Sequence, residues 1–137
     1  MGLYLCIFDG DEEVEGVEVG AYADFAAFRK SVSDNVERSI PCLLCPALMN
    51  HSDCDGVWES SECWQLKSEL AGIAARFREL PPIEFSAEWQ TNLARSIGLW
   101  PSNLYESFID VDGEPLIERL LQLCEFAIER KLPILFQ

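Results

Sequence analysis

The chain is expected to fold as α+β or α/β, in a single domain over residues 1–137. About four to five strands would form a central sheet packed by about four helices. Three observations carry this expectation. Short apolar, strand-like runs alternate with longer segments of helical periodicity. Asp-Gly and proline breakers separate them. The 137 residues are 49% hydrophobic, enough for a substantial core and too apolar for disorder.

Leu3 to Phe8 is rich in strand formers and ends at Asp9-Gly10-Asp11, so it reads as a buried strand. Val14 to Val19 alternates weakly around Gly16 and reads as a short edge strand. Tyr22, Phe25, Ala26, Phe28, Arg29, Val32 and Val36 follow helical spacing, giving a helix from about Tyr22 to Arg38 that Pro41 stops. Cys42 to Asn50 reads as a second buried strand, with Pro46 placing it at an edge or a bulge. A helix follows from about Ser60 to Glu79, with Trp64, Leu66, Leu70, Ile73, Ala74 and Phe77 as its apolar stripe.

Pro81-Pro82 ends that helix and leaves Ile83 to Phe85 extended. Ser86 caps a shorter helix through Ile97, in which Trp89, Leu93 and Ile97 recur at four-residue spacing. Gly98 ends it. Leu104 to Val111 alternates and reads as a strand closed by Asp112-Gly113. Glu114-Pro115 opens a long helix whose Leu116, Ile117, Leu120, Leu123, Cys124, Ala127 and Ile128 face the core. Lys131-Leu132-Pro133 closes it, and Ile134 to Phe136 is a last strand.

Charge narrows the function. Twenty-four acidic residues against ten basic ones give a net charge of −14, which disfavours direct nucleic-acid binding and favours encounter with a basic partner. No apolar run approaches the roughly 20 residues that span a bilayer, so no membrane partner is expected. The opening residues are too short for an export signal and lack a basic flank, which points to the cytoplasm and reduced thiols. Of the six cysteines, Cys6 and Cys124 sit in apolar runs and read as buried thiols. Cys42 and Cys45 form a C-x-x-C pair upstream of His51, Cys54 and Cys63, a pattern a zinc site would use. The apolar Leu43-Leu44 between them and the lack of a second C-x-x-C argue against zinc.

Residues 51–62 are the most chemically suggestive stretch. On the calcium-loop template, Asp53 and Asp55 take ligand positions, Gly56 the sharp turn, Val57 the carbonyl donor, and Glu59 and Glu62 the late carboxylates. His51 stands where the first aspartate belongs, which weakens the fit for a hard cation. The simpler reading is a polar turn into a helix, with Asp53 and Asp55 on local amides. His51 is the only histidine, and no nucleophile elbow or phosphate-binding glycine loop accompanies it, so no catalytic residue and no cofactor is assigned. The carboxylate pairs Asp9/Asp11, Asp53/Asp55 and Asp110/Asp112 each flank an expected strand. Strands of one direction would gather them into an acidic patch that could bind a cation, act on a sugar or meet a basic protein surface, while the simpler reading of each pair alone is an ordinary Asp-Gly-type turn. Trp58 reads as a core anchor of the loop. Trp100, before Pro101 in a connection, is the candidate interface anchor.

Several segments resemble a known family. They are Met1-Gly-Leu-Tyr-Leu-Cys-Ile-Phe-Asp9, Gly16-Val-Glu-Val-Gly-Ala-Tyr-Ala-Asp-Phe25, His51-Ser-Asp-Cys-Asp-Gly-Val-Trp58, Phe77-Arg-Glu-Leu-Pro-Pro82, Asn103-Leu-Tyr-Glu-Ser-Phe-Ile-Asp-Val-Asp-Gly-Glu-Pro115 and Leu132-Pro-Ile-Leu-Phe-Gln137. Together they resemble the immunity proteins of bacterial polymorphic toxin systems, most closely the immunity protein 70 family. The resemblance implies a small α+β cytoplasmic protein that neutralises a toxin domain encoded beside it, with no catalytic residues. The cysteines at Cys42, Cys45 and Cys63 are not part of the shared pattern.

Overall fold

The computed structural model describes residues 2–38, 44–52 and 54–137. Its architecture is α+β, a four-stranded antiparallel sheet packed by helices. Strand β1 (Gly2–Asp9) turns at Gly10, whose φ of 67° suits glycine, into β2 (Glu12–Ala21). Helix α1 (Tyr22–Val32) follows and continues through a wider turn of π-helix at Ser33–Glu37. Next come a short helix α2 (Pro46–Met49), a two-residue strand β3 (Val57–Trp58), helix α3 (Glu62–Arg78) and helix α4 (Glu88–Ile97). A turn of 3₁₀-helix at Tyr105–Ser107 precedes helix α5 (Leu116–Arg130) and strand β4 (Ile134–Phe136). The spatial order is β2-β1-β4-β3, so β2 and β3 are the edges.

The pleat of β1 sends Leu3, Leu5 and Ile7 into one core with Val17 and Val19 of β2. Helix stripes complete it. Phe25, Phe28 and Val32 come from α1, Leu66, Leu70, Ile73 and Phe77 from α3, and Leu116, Ile117, Leu120 and Leu123 from α5. Phe28 is the aromatic hub, edge-on to Phe77 at 6.2 Å and to Phe108 at 5.4 Å between ring centres. The stripe of α3 runs through Cys63 rather than Trp64, which is 64% exposed. In α4, Gln90 and Ala94 are the buried residues, and Ile97 faces outward.

Among the described residues, two expected strands are absent. Of the Cys42–Asn50 run, residues 42 and 43 lie outside the described residues, and Pro46–Met49 is helical. Proline suits a first helical turn. The buried Glu69 carboxylate on α3 accepts the Ala47 and Leu48 N–H groups, both at 3.0 Å. A short apolar run does not by itself separate strand from buried helix, and here a distant carboxylate decides. The Leu104–Val111 run folds instead as the 3₁₀ turn and a lone bridge from Ile109 to Pro115. Its polar residues bond locally, with Asn103 Oδ1 accepting Glu106 N–H at 2.9 Å and Ser107 Oγ–H donating to the Asn103 carbonyl at 2.9 Å. The strand missing from the sequence reading is β3, two residues hidden within the 51–62 loop.

Glu69 also accepts from Gln65 Nε2 at 2.9 Å, and Trp58 Nε1–H donates to the Ala47 carbonyl at 2.9 Å. One carboxylate therefore fixes α2, and α2 fixes the indole beside β3. Glu69→Ala is expected to strand these donors and cost about 2–3 kcal/mol, read as a lower urea midpoint at unchanged slope. A loss below about 0.5 kcal/mol would show that the carboxylate is dispensable.

Candidate functional site

The antiparallel sheet separates the three carboxylate pairs. Asp9 and Asp11 flank the β1–β2 turn and are exposed. Strand β3 runs in the direction of β1, because both pair antiparallel with β4 at Leu135. Exposed Asp55, just before β3, therefore sits at the opposite end of the sheet from the β1–β2 turn. Asp53 lies outside the described residues. The third pair docks on the free edge of β2, where Val111 N–H donates to the Glu18 carbonyl at 3.0 Å. There Asp112 is exposed, but Asp110 is fully buried, accepting Asp112 N–H at 3.0 Å, Glu114 N–H at 2.9 Å and Arg119 Nε–H at 3.1 Å. Asp110 is thus a structural ion-pair partner, and among the described residues Asp9/Asp11, Asp55 and Asp112 lie at three separate places on the sheet.

Trp100 is 79% exposed and borders a groove of about 600 Å³. Pro82, Ile83 and Phe85 line one wall, Ala94, Leu99 and Pro101 the other, with Glu84 and Arg95 as its charged residues. Local chemistry builds both walls. Gly98, at φ 72°, closes α4 with its N–H on the Arg95 carbonyl at 3.4 Å, while Leu99 N–H reaches the Ala94 carbonyl at 2.8 Å. Ser107 Oγ accepts Ile83 N–H at 3.1 Å and holds the extended wall.

Helix α4 itself hangs on buried Asp24 of α1. Its Oδ2 accepts the Trp89 indole N–H at 3.0 Å and Ala21 N–H at 2.8 Å, and Ser86 Oγ approaches Oδ1 at 3.3 Å. Gly20, at φ 118°, leaves room for this junction, since a Cβ there would lie 2.7 Å from the Trp89 ring and 2.8 Å from Asp24.

In the 51–62 loop the His51 ring stacks on Phe136 at 4.2 Å, and its two nitrogens face the Ser52 and Val57 carbonyls at 2.7 and 2.8 Å. The ring ties the loop to β3. The Val57 carbonyl proposed for a cation is engaged by His51, and the Glu62 carboxylate accepts Glu59 N–H at 3.4 Å. Glu59 itself is exposed, and its carbonyl accepts Glu62 N–H at 2.9 Å as α3 begins. Trp58 is buried, as expected.

Among the described cysteines, Cys54 alone is exposed. The Cys45 thiol is pushed up to about 12 by burial and then by the charges of Glu69 and Glu37. Cys42, its C-x-x-C partner, lies outside the described residues. Sequence reasoning missed the exposed Trp64, whose apolar identity fitted the stripe, and Glu69, whose acidic identity concealed a core role.

The family model described as Immunity protein 70 matches residues 3–136, and the chain belongs to that family. No curated protein and no solved structure matches the chain. No helix among the described residues is long and apolar enough to cross a membrane.

Proposed function

We propose that this member of the immunity protein 70 family binds and neutralises a cognate bacterial toxin domain in the cytoplasm, by occupation of the toxin rather than by catalysis. The match over residues 3–136 carries the reading. The net charge of −14 supports a basic toxin surface as the complement, since opposite fields speed association and reject wrong partners. Exposed carboxylates, Asp9, Asp11, Asp55 and Asp112 among them, would supply the field, and Trp100 the apolar anchor.

Co-expression with the toxin domain encoded beside this chain tests the reading. The expected result is survival of the host with both proteins and killing by the toxin alone. Continued killing, with this chain present in soluble excess, would overturn it.

A further inference from the structure

The sheet has a second face. While Leu3, Leu5 and Ile7 enter the core, Tyr4, Cys6 and Phe8 point the other way. The register sets Glu18 beside Tyr4, Gly16 beside Cys6 and Glu13 beside Phe8 on β2, and Leu135 of β4 beside Cys6. Val57 of β3 continues the row past Leu135. Among the described residues, none of these belongs to the core cluster or packs against it. Cys6 itself has no exposed surface, whereas Tyr4, Phe8, Leu135 and Val57 are partly exposed and Glu13 and Glu18 are exposed. The Tyr4 ring lies across Gly16, where any Cβ would overlap the phenol oxygen, so glycine keeps this face flat.

Its charge is one-sided. Glu13 and Glu18 are the charges the register places on this face, and the rest of the hairpin between Gly2 and Ala21 adds Asp9, Asp11, Glu12 and Glu15 and no Lys or Arg. Arg119 reaches the Gly16 carbonyl at 3.1 Å, but its charge is matched by Asp110. The Tyr4 phenol is pushed up to about 12, first by burial, then by its hydrogen bond to Glu13 and the charges of Glu13, Cys6 and Glu18.

We infer that this open sheet face seats a Lys/Arg-bearing surface of the toxin. Tyr4, Phe8 and Leu135 would receive the aliphatic stems and guanidinium planes, and Glu13 and Glu18 the charges. The assignment rests on the toxin-binding reading and adds where the toxin sits. A second copy of the chain is a poor occupant, because it would set the same carboxylates against one another. Nucleic acid is disfavoured for the same reason.

The test uses the full chain and the toxin domain encoded beside it, with association rates measured across a salt series. Wild-type neutralisation and binding establish the reading itself. Glu13→Lys/Glu18→Lys is compared with Glu79→Lys/Glu129→Lys, which changes net charge equally at two exposed helix-end positions. The face reversal is expected to slow association about tenfold or more at low salt, with the gap closing as salt rises, while the control pair changes it far less. Tyr4→Ala, shown folded by an unchanged melting profile, is expected to speed dissociation about tenfold. Equal effects of the two reversals, or unaltered dissociation of folded Tyr4→Ala, would overturn the placement while the immunity role stands. Failure of wild type to bind or neutralise the toxin would overturn both.

Discussion

Asp110→Ala is expected to destabilise the protein by about 3–5 kcal/mol, the usual consequence of removing one member of a buried ion pair. Its carboxylate has no exposed surface and gathers two backbone N–H groups and the Arg119 guanidinium. Arg119, only 24% exposed at its side chain, would keep its bond to the Gly16 carbonyl but lose its counter-charge. The loop would also lose the turn that presents Val111 N–H to the edge of β2. For a chain of this size the melting temperature should fall by about 10 °C or more. Asp110→Asn, which keeps an acceptor for the turn, should fall between wild type and alanine, and Asp112→Ala at the exposed neighbour should change little. Toxin affinity of the folded fraction should be unaltered by Asp110→Asn. A loss under about 1 kcal/mol in Asp110→Ala, or weakened binding by a stable Asp110→Asn, would contradict a purely structural role.

Asp110 also shows what was legible in the sequence. Its Asp-Val-Asp-Gly setting is that of an ordinary exposed turn, and nothing local distinguishes it from Asp9-Gly10-Asp11. The difference is tertiary, since one turn ends a free hairpin and the other is pressed on β2 by α5 and Arg119. Elements specified by their own residues were readable. The spacing in α1 and α5, Gly98 at a helix end and the apolar β1 each carry their own signal. Elements specified by a distant partner were not. Helix α2 depends on Glu69, 21 residues beyond Leu48, and β3 exists only because β4 pairs with it. At the candidate site, the loop position of Trp100 before Pro101 left burial and exposure equally open, and only the fold exposes the ring. The groove beside it was not readable, because its walls meet only after α4 folds back from Gly98.

Trp100→Ala should leave stability within about 0.5 kcal/mol of wild type, since the ring is 79% exposed and contributes little to the core. Its expected effect is on the complex. A tryptophan that inserts into a partner while Ile83 and Leu99 pack around it excludes water from a large apolar surface. Truncating such an anchor typically costs about 2 kcal/mol or more, a rise in Kd of roughly thirtyfold. The rise should lie in dissociation, because an apolar anchor acts only after docking, whereas steering charges act on the approach. Dissociation of Trp100→Ala should therefore be fast at every salt concentration, while association keeps the wild-type salt slope. Trp58→Ala supplies the contrast. That indole is buried, bonded to Ala47 and packed on Phe136, so its loss should cost about 3–5 kcal/mol of stability. Kinetics of the complex, measured with wild type and both variants, separate the roles. An unchanged dissociation rate in Trp100→Ala would remove the anchor from the interface and leave the sheet face to hold the toxin.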